Sequence, residues 1–126
     1  MAGRQAKVLT ERDVQRLVAY ARQGRLPHRD VAMVLLSVKA GLRALEIARL
    51  TWEMITDGGG QIGQQIELRD TAAKRGSGRR IPMHPDLKTA LRILRQEAPD
   101  LAGPVVRSVR GGPLQPNSIV NWFTAA

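Results

Sequence analysis

The chain has 126 residues, with 20 Lys plus Arg against 11 Asp plus Glu, 43% hydrophobic residues and no cysteine, which predicts one globular domain, 1–126, with a core of ordinary size. This composition excludes a disordered tail, a fibrous repeat, a disulfide scaffold and a thiolate metal site. A formal charge of +9 and a pI near 11.4 point to a polyanion rather than an acidic small molecule as partner.

Sixteen of the twenty cations are arginine, whose planar fork meets phosphate oxygens two at a time. Tyrosine and phenylalanine occur once each and tryptophan twice, too few for an RNA-stacking platform, so contact with a duplex backbone is favoured. The longest apolar run, Val31 to Leu36, is far below a membrane span, and the first residues lack a signal-peptide stretch. The expectation is a soluble, cytoplasmic, nucleoid-associated protein with no membrane contact.

Thr10 followed by Asp13 predicts a capped first helix, with Val14, Leu17, Val18 and Ala21 at helical spacing and an end near Gly24. Arg29 to Ala40 is apolar on most sides and predicts a central helix stopped by Gly41. Leu42 to Leu50 predicts a third. After Trp52, Met54 and Ile55 come Gly58, Gly59 and Gly60, then Ile66 and Leu68 alternate with Glu67 and Arg69 as in a strand. Ile81 and Met83 alternate again beyond Gly76-Ser77-Gly78, completing an antiparallel hairpin in which Pro82 demands an edge position. Pro85 and Asp86 open a helix that buries Leu87, Ala90, Leu91 and Leu94 and ends at Ala98. Pro104 to Pro116 predicts a loop with a short extended piece at Val105 and Val106, and a last helix starts near Asn117. The fold class expected is α+β: a mostly helical domain with a small antiparallel sheet.

Two constellations bear on chemistry. At about 100° per residue, Arg43 shares a side of the third helix with Glu46, Ile47 and Leu50, so a guanidinium sits among apolar residues. Glu46 at i+3 then orients it and leaves part of the fork for a phosphate; a plain ion pair on a half-buried helix accounts for the same spacing. The hairpin tip offers Lys74, Arg75, Arg79 and Arg80 around a flexible Gly-Ser-Gly, suited to a groove or a phosphate backbone, although many charged tips are only solvated turns. Lys74, crowded by other cations, has its acidity raised and suits proton donation.

Other features are set aside. Gly58, Gly60 and Gly63 match Gly-x-Gly-x-x-Gly but precede a strand instead of following one. His28 and His84 stand alone beside prolines, so no metal is expected, and no cofactor. Trp52, Trp122 and Phe123 read as core anchors.

In order, Gly41-Leu42-Arg43-Ala44-Leu45-Glu46, Leu50-Thr51-Trp52-Glu53-Met54-Ile55, Lys74 in a basic hairpin and Arg80-Ile81-Pro82-Met83 resemble the catalytic domain of the tyrosine recombinases, or phage integrases. Leu9-Thr10-Glu11 resembles the usual entry to that domain. The resemblance implies that Arg43 grips the scissile phosphate of DNA, Glu46 supports it, and Lys74 protonates the departing 5′ oxygen. Ala72 and Ala73 depart from the small polar or glycine residues common before that lysine, which leaves Arg75 as the alternative cation. The family also uses a His-x-x-Arg segment, a second His or Trp, and a tyrosine nucleophile. Here His28 is followed three residues on by Val31, His84 by Leu87, and Tyr20 precedes Arg43.

The expectation is therefore an incomplete, truncated recombinase catalytic domain, its N-terminal part, without the separate DNA-clamping domain. It would bind double-stranded DNA but not cleave it alone, and Leu114 to Phe123 would leave apolar surface for self-association or another recombinase subunit. Two alternatives stand beside it: an inactive DNA- or recombinase-binding regulator or remnant, and an interaction protein whose basic face meets an acidic protein.

Overall fold

A computed structural model describes residues 9–69, 78–98 and 102–126. Five helices, α1 (Glu11–Arg22), α2 (Pro27–Val38), α3 (Ala44–Arg49), α4 (Pro85–Glu97) and α5 (Pro116–Ala125), accompany a two-stranded antiparallel sheet. The strands β1 (Gln65–Leu68) and β2 (Arg79–Pro82) pair Ile66 with Ile81 and Glu67 with Arg80. The α+β expectation holds, and the hairpin sits where Pro82 requires, with no third strand beside it among the described residues.

Local chemistry sets the helix ends. Thr10 Oγ1 accepts the Asp13 N–H while the Asp13 carboxylate accepts the Thr10 N–H, both at 3.0 Å, a reciprocal cap that starts α1 where the sequence placed it. Pro27, Pro85 and Pro116 each occupy a first helical position, where a missing N–H costs nothing. Consequently α2 starts two residues earlier than expected and α5 one earlier. His84 Nδ1 accepts the Asp86 N–H at 3.0 Å and caps α4.

The core centres on α2, which packs against α1, α3 and α4. Ala32, Met33 and Leu36 are fully enclosed and share one cluster with Ile47, Leu50, Trp52, Leu87, Leu91 and Ile119. The hairpin joins this core through Ile66, while a short 3-10 helix, Trp52–Met54, bridges α3 and β1. Trp52 is a core anchor as expected; Trp122 and Phe123 are only half-buried and stack edge to face at 5.0 Å between ring centres.

The stretch expected to be a loop is tied down more than its Gly and Pro content suggests. Thr51 bridges Pro104, Arg107 bridges Pro113, and Val105 N–H donates to the Leu50 carbonyl at 3.0 Å. Asp30, the one buried charge among the described residues, is held by Arg29 Nε at 2.8 Å, and Arg29 Nη1 continues to the Arg107 carbonyl at 3.0 Å. That closed network satisfies the carboxylate that burial would otherwise penalise. His28, expected to be isolated, instead pairs through Nδ1 with the Glu97 carboxylate, joining the start of α2 to the end of α4.

Because Leu36 is completely enclosed, Leu36→Ala should remove about 2–5 kcal/mol of unfolding free energy. Leu45→Ala, on the exposed side of α3, should change it by less than about 0.5 kcal/mol. Denaturant titration followed by circular dichroism measures both.

Candidate nucleic-acid interface

The candidate site begins at the end of α2. Gly41 adopts φ +72, a conformation costly for residues with a Cβ. Its N–H donates to the Ser37 carbonyl and the Leu42 N–H to the Leu36 carbonyl, each at 3.1 Å. The reversal buries Leu42 and delivers Arg43 to the threshold of α3.

Arg43 therefore does not lie where helical periodicity put it. It is the N-cap of α3, with extended backbone at φ −80 and ψ 162, and it is exposed. The expected helix from Leu42 begins instead at Ala44, because Gly41 commits Leu42 to the core and leaves Arg43 in the extended conformation of a cap. Ile47 and Leu50 are buried without it. The guanidinium forms no ion pair among the described residues and faces solvent.

Glu46 meets Arg43 through the main chain. Its carboxylate accepts the backbone N–H of Arg43 at 2.9 Å, fixing the start of the helix in place of the absent side-chain cap. The same carboxylate receives Arg79 from β2 in a fork: Nη1 to Oε2 at 2.8 Å and Nη2 to Oε1 at 3.3 Å. Partial burial pushes the Glu46 carboxyl up, but the Arg79 and Arg43 hydrogen bonds and both positive charges outweigh this and hold it below the usual glutamate range. The bond to Glu46 raises Arg79 against its small desolvation.

One carboxylate thus joins the residue at the head of α3 to the strand leading out of the hairpin. Arg80, next on β2, is exposed and stands opposite Glu67 in the strand register. Arg49, at the far end of α3, is exposed too, whereas Arg69 is occupied by Glu53 at 3.1 Å. The structure brings Arg43, Glu46 and Arg79 together; Lys74 and Arg75 lie outside the described residues. Sequence reasoning missed the Glu46–Arg79 pair because 33 residues separate the partners and only the fold closes that distance. The signal available was a carboxylate at the third position of a helix beside an unusually basic hairpin.

Tyr20 is on α1, its ring edge to face with Trp122 at 5.3 Å between centres. Among the described residues no three His, Cys, Asp or Glu side chains gather as a metal site, and no helix is long and apolar enough to cross a membrane. The apolar surface expected at Leu114 to Phe123 is confined mainly to Val120, which is half exposed, since Ile119 is enclosed and Leu114, Trp122 and Phe123 are partly covered.

Residues 7–119 match the phage integrase family, which covers most of the chain: the protein belongs to that family, the tyrosine recombinases. Its fold is that of part of the lambda integrase catalytic core, with a TM-score of 0.65 and 21% identity over 93% of this chain and 66% of that one. A lambda integrase dimer bound to a COC′ core site aligns with a TM-score of 0.67 and 20% identity over 96% of this chain and 34% of that one. Lambda integrase residues 75–356 bound to DNA align at 0.66 and 19% identity over 99% and 44%. The chain thus spans from one-third to two-thirds of the length of these proteins. No curated protein matches it significantly in sequence.

A carboxyl held low in the folded state and released to its ordinary value on unfolding contributes stability that is complete above the ordinary glutamate range and disappears as pH falls through the lowered folded value. Between neutral pH and about pH 3, thermal unfolding midpoints of the wild type should therefore fall more than those of Glu46→Gln, which lacks the titration. Parallel curves would show that Glu46 is not held low.

Proposed function

We propose that this chain is the DNA-binding part of a site-specific recombinase or integrase, that Arg43 grips the scissile phosphate, and that the chain does not cleave DNA by itself. The observation that carries the reading is the placement of Arg43: an exposed guanidinium with no ion-pair partner among the described residues, its backbone fixed by Glu46, beside a basic strand of the hairpin. Family membership supports it, as does the DNA bound by lambda integrase in the similar structures.

The chemistry suits these residue types. Phosphoryl transfer accumulates negative charge on the non-bridging oxygens, and the planar guanidinium fork of Arg43 can meet two of those oxygens at once. The departing 5′ alkoxide needs a proton, for which Lys74 is the donor in this reading; Arg75, the alternative hairpin cation, would offset the developing charge without giving up a proton. Covalent strand cleavage requires a nucleophile as well. The one tyrosine in the sequence, Tyr20, precedes Arg43 and is packed against Trp122, so these residues do not themselves carry the family's nucleophile or its His-x-x-Arg segment. Another recombinase subunit that carries them is the source this reading calls for; lambda integrase assembles as a dimer on its core site and as a tetramer on a Holliday junction. If no chain completes the site, the protein occupies DNA or a recombinase as a regulator.

Duplex affinity should fall with salt at a log–log slope of about −0.9 per phosphate contact. Arg43→Ala should weaken binding and make that slope about one contact shallower, while Arg110→Ala, on an exposed turn, should do so less; equal effects would remove Arg43 from the interface. On a nicked duplex carrying a recombination site, denaturing gels should show no covalent protein–DNA adduct from this chain alone, and an adduct would overturn the proposed inactivity.

A further inference from the structure

The structure separates two of the hairpin cations. Arg80 is exposed and forms no ion pair among the described residues. Arg79, one residue earlier, gives both terminal nitrogens of its fork to the two oxygens of Glu46, at 2.8 and 3.3 Å. A guanidinium has five N–H donors, and committing two of them in this way fixes its plane and offsets part of its charge. Such a group is poorly placed to neutralise a DNA phosphate as well. Glu46 is 24% exposed and Arg79 49% exposed, so the pair lies at the surface, between the hairpin and the head of α3.

We infer that Arg79 is a positioning residue rather than a phosphate ligand: held by Glu46, it latches β2 to the start of α3, so that Arg80 on β2 and Arg43 are presented to DNA in a fixed relation. The inference rests on the proposed DNA-binding reading. Three links compose the latch. The Glu46 carboxylate sets the N-cap through the Arg43 N–H at 2.9 Å, and the same two oxygens seat Arg79. Arg79 in turn begins β2, which leads directly out of the connection from β1. The strand register holds only four residue pairs, and a two-stranded ladder so short is marginal by itself. The Arg79–Glu46 fork fixes β2 against α3.

The two roles predict opposite behaviour when Glu46 loses its charge. If Arg79 gripped a phosphate, Glu46→Gln would free it and remove a negative charge near DNA, tightening binding, while Arg79→Gln would weaken it and remove one contact from the salt slope. If Arg79 is a latch, Glu46→Gln and Arg79→Gln should each weaken binding by about fivefold. Their double variant should be no weaker than either single, because both break one interaction. The salt slope should then stay within experimental error of the wild type, whereas Arg80→Gln should reduce it by about 0.9. Arg79→Lys, which keeps one charged contact with Glu46, should recover part of the loss.

The experiment is fluorescence anisotropy with a labelled duplex of mixed sequence, titrated across a series of KCl concentrations, using the whole chain and its variants. Thermal unfolding of each variant confirms that it is folded. Weakening by Glu46→Gln with an unchanged slope supports the latch. Tighter binding by Glu46→Gln together with a shallower slope for Arg79→Gln overturns it and leaves the DNA reading intact. Salt-independent or absent duplex binding by the wild type overturns the DNA reading, and the latch with it.

Discussion

A single carboxylate organises the proposed DNA-facing side of this protein. Glu46 accepts the Arg43 amide and the Arg79 fork at once, so it terminates the backbone of one element and cross-links it to another. Its own helix is only six residues long, too short to hold its start by propensity alone. The N-terminal amide is therefore satisfied by a side chain that a second element immobilises in turn. Removing the carboxylate would unpin both ends: an orphaned N–H at α3 and an unpaired guanidinium on β2.

In the proposed reading the two arginines meet different demands: Arg79 serves by pairing with Glu46, and Arg43 by forming no ion pair among the described residues. The same acidic residue distinguishes them geometrically, meeting Arg79 with its side-chain oxygens and Arg43 through the main chain. The Arg43 side chain is left to project from an extended cap residue instead of competing for space with Ile47 and Leu50. A phosphate contact needs an uncommitted charge on an anchored backbone, and the cap position offers both, since Glu46 holds the Arg43 N–H and not its guanidinium.

The sequence was informative about elements and less so about their junctions. The helices, the hairpin and the core residues Leu87, Ala90, Leu91 and Leu94 follow from periodicity and from proline and glycine punctuation, which are local properties of the chain. Arg43 was misplaced because periodicity assumes that the helix has already begun. The positive φ at Gly41 postpones that beginning by two residues, and one glycine gives no measure of such a delay. The Glu46–Arg79 and His28–Glu97 pairs were invisible for a different reason: each joins residues far apart in the chain, and composition cannot choose among many possible partners. The family resemblance, by contrast, rests on ordered motifs that survive errors of a few residues in element boundaries.

The bridging of Thr51 to Pro104 has a further implication for how the chain may be cut. The Trp52 N–H donates to the Gly103 carbonyl at 3.1 Å and the Val105 N–H to the Leu50 carbonyl at 3.0 Å, while Val105 and Val106 are enclosed. The segment after α4 thus closes over the region between α3 and the hairpin. A boundary drawn at the end of α4, where helix content alone would invite one, would strip two backbone partners and two valines from the middle of the protein. The smallest piece able to stand as a unit must extend through this crossing, so any exchange of modules between relatives has to carry it intact.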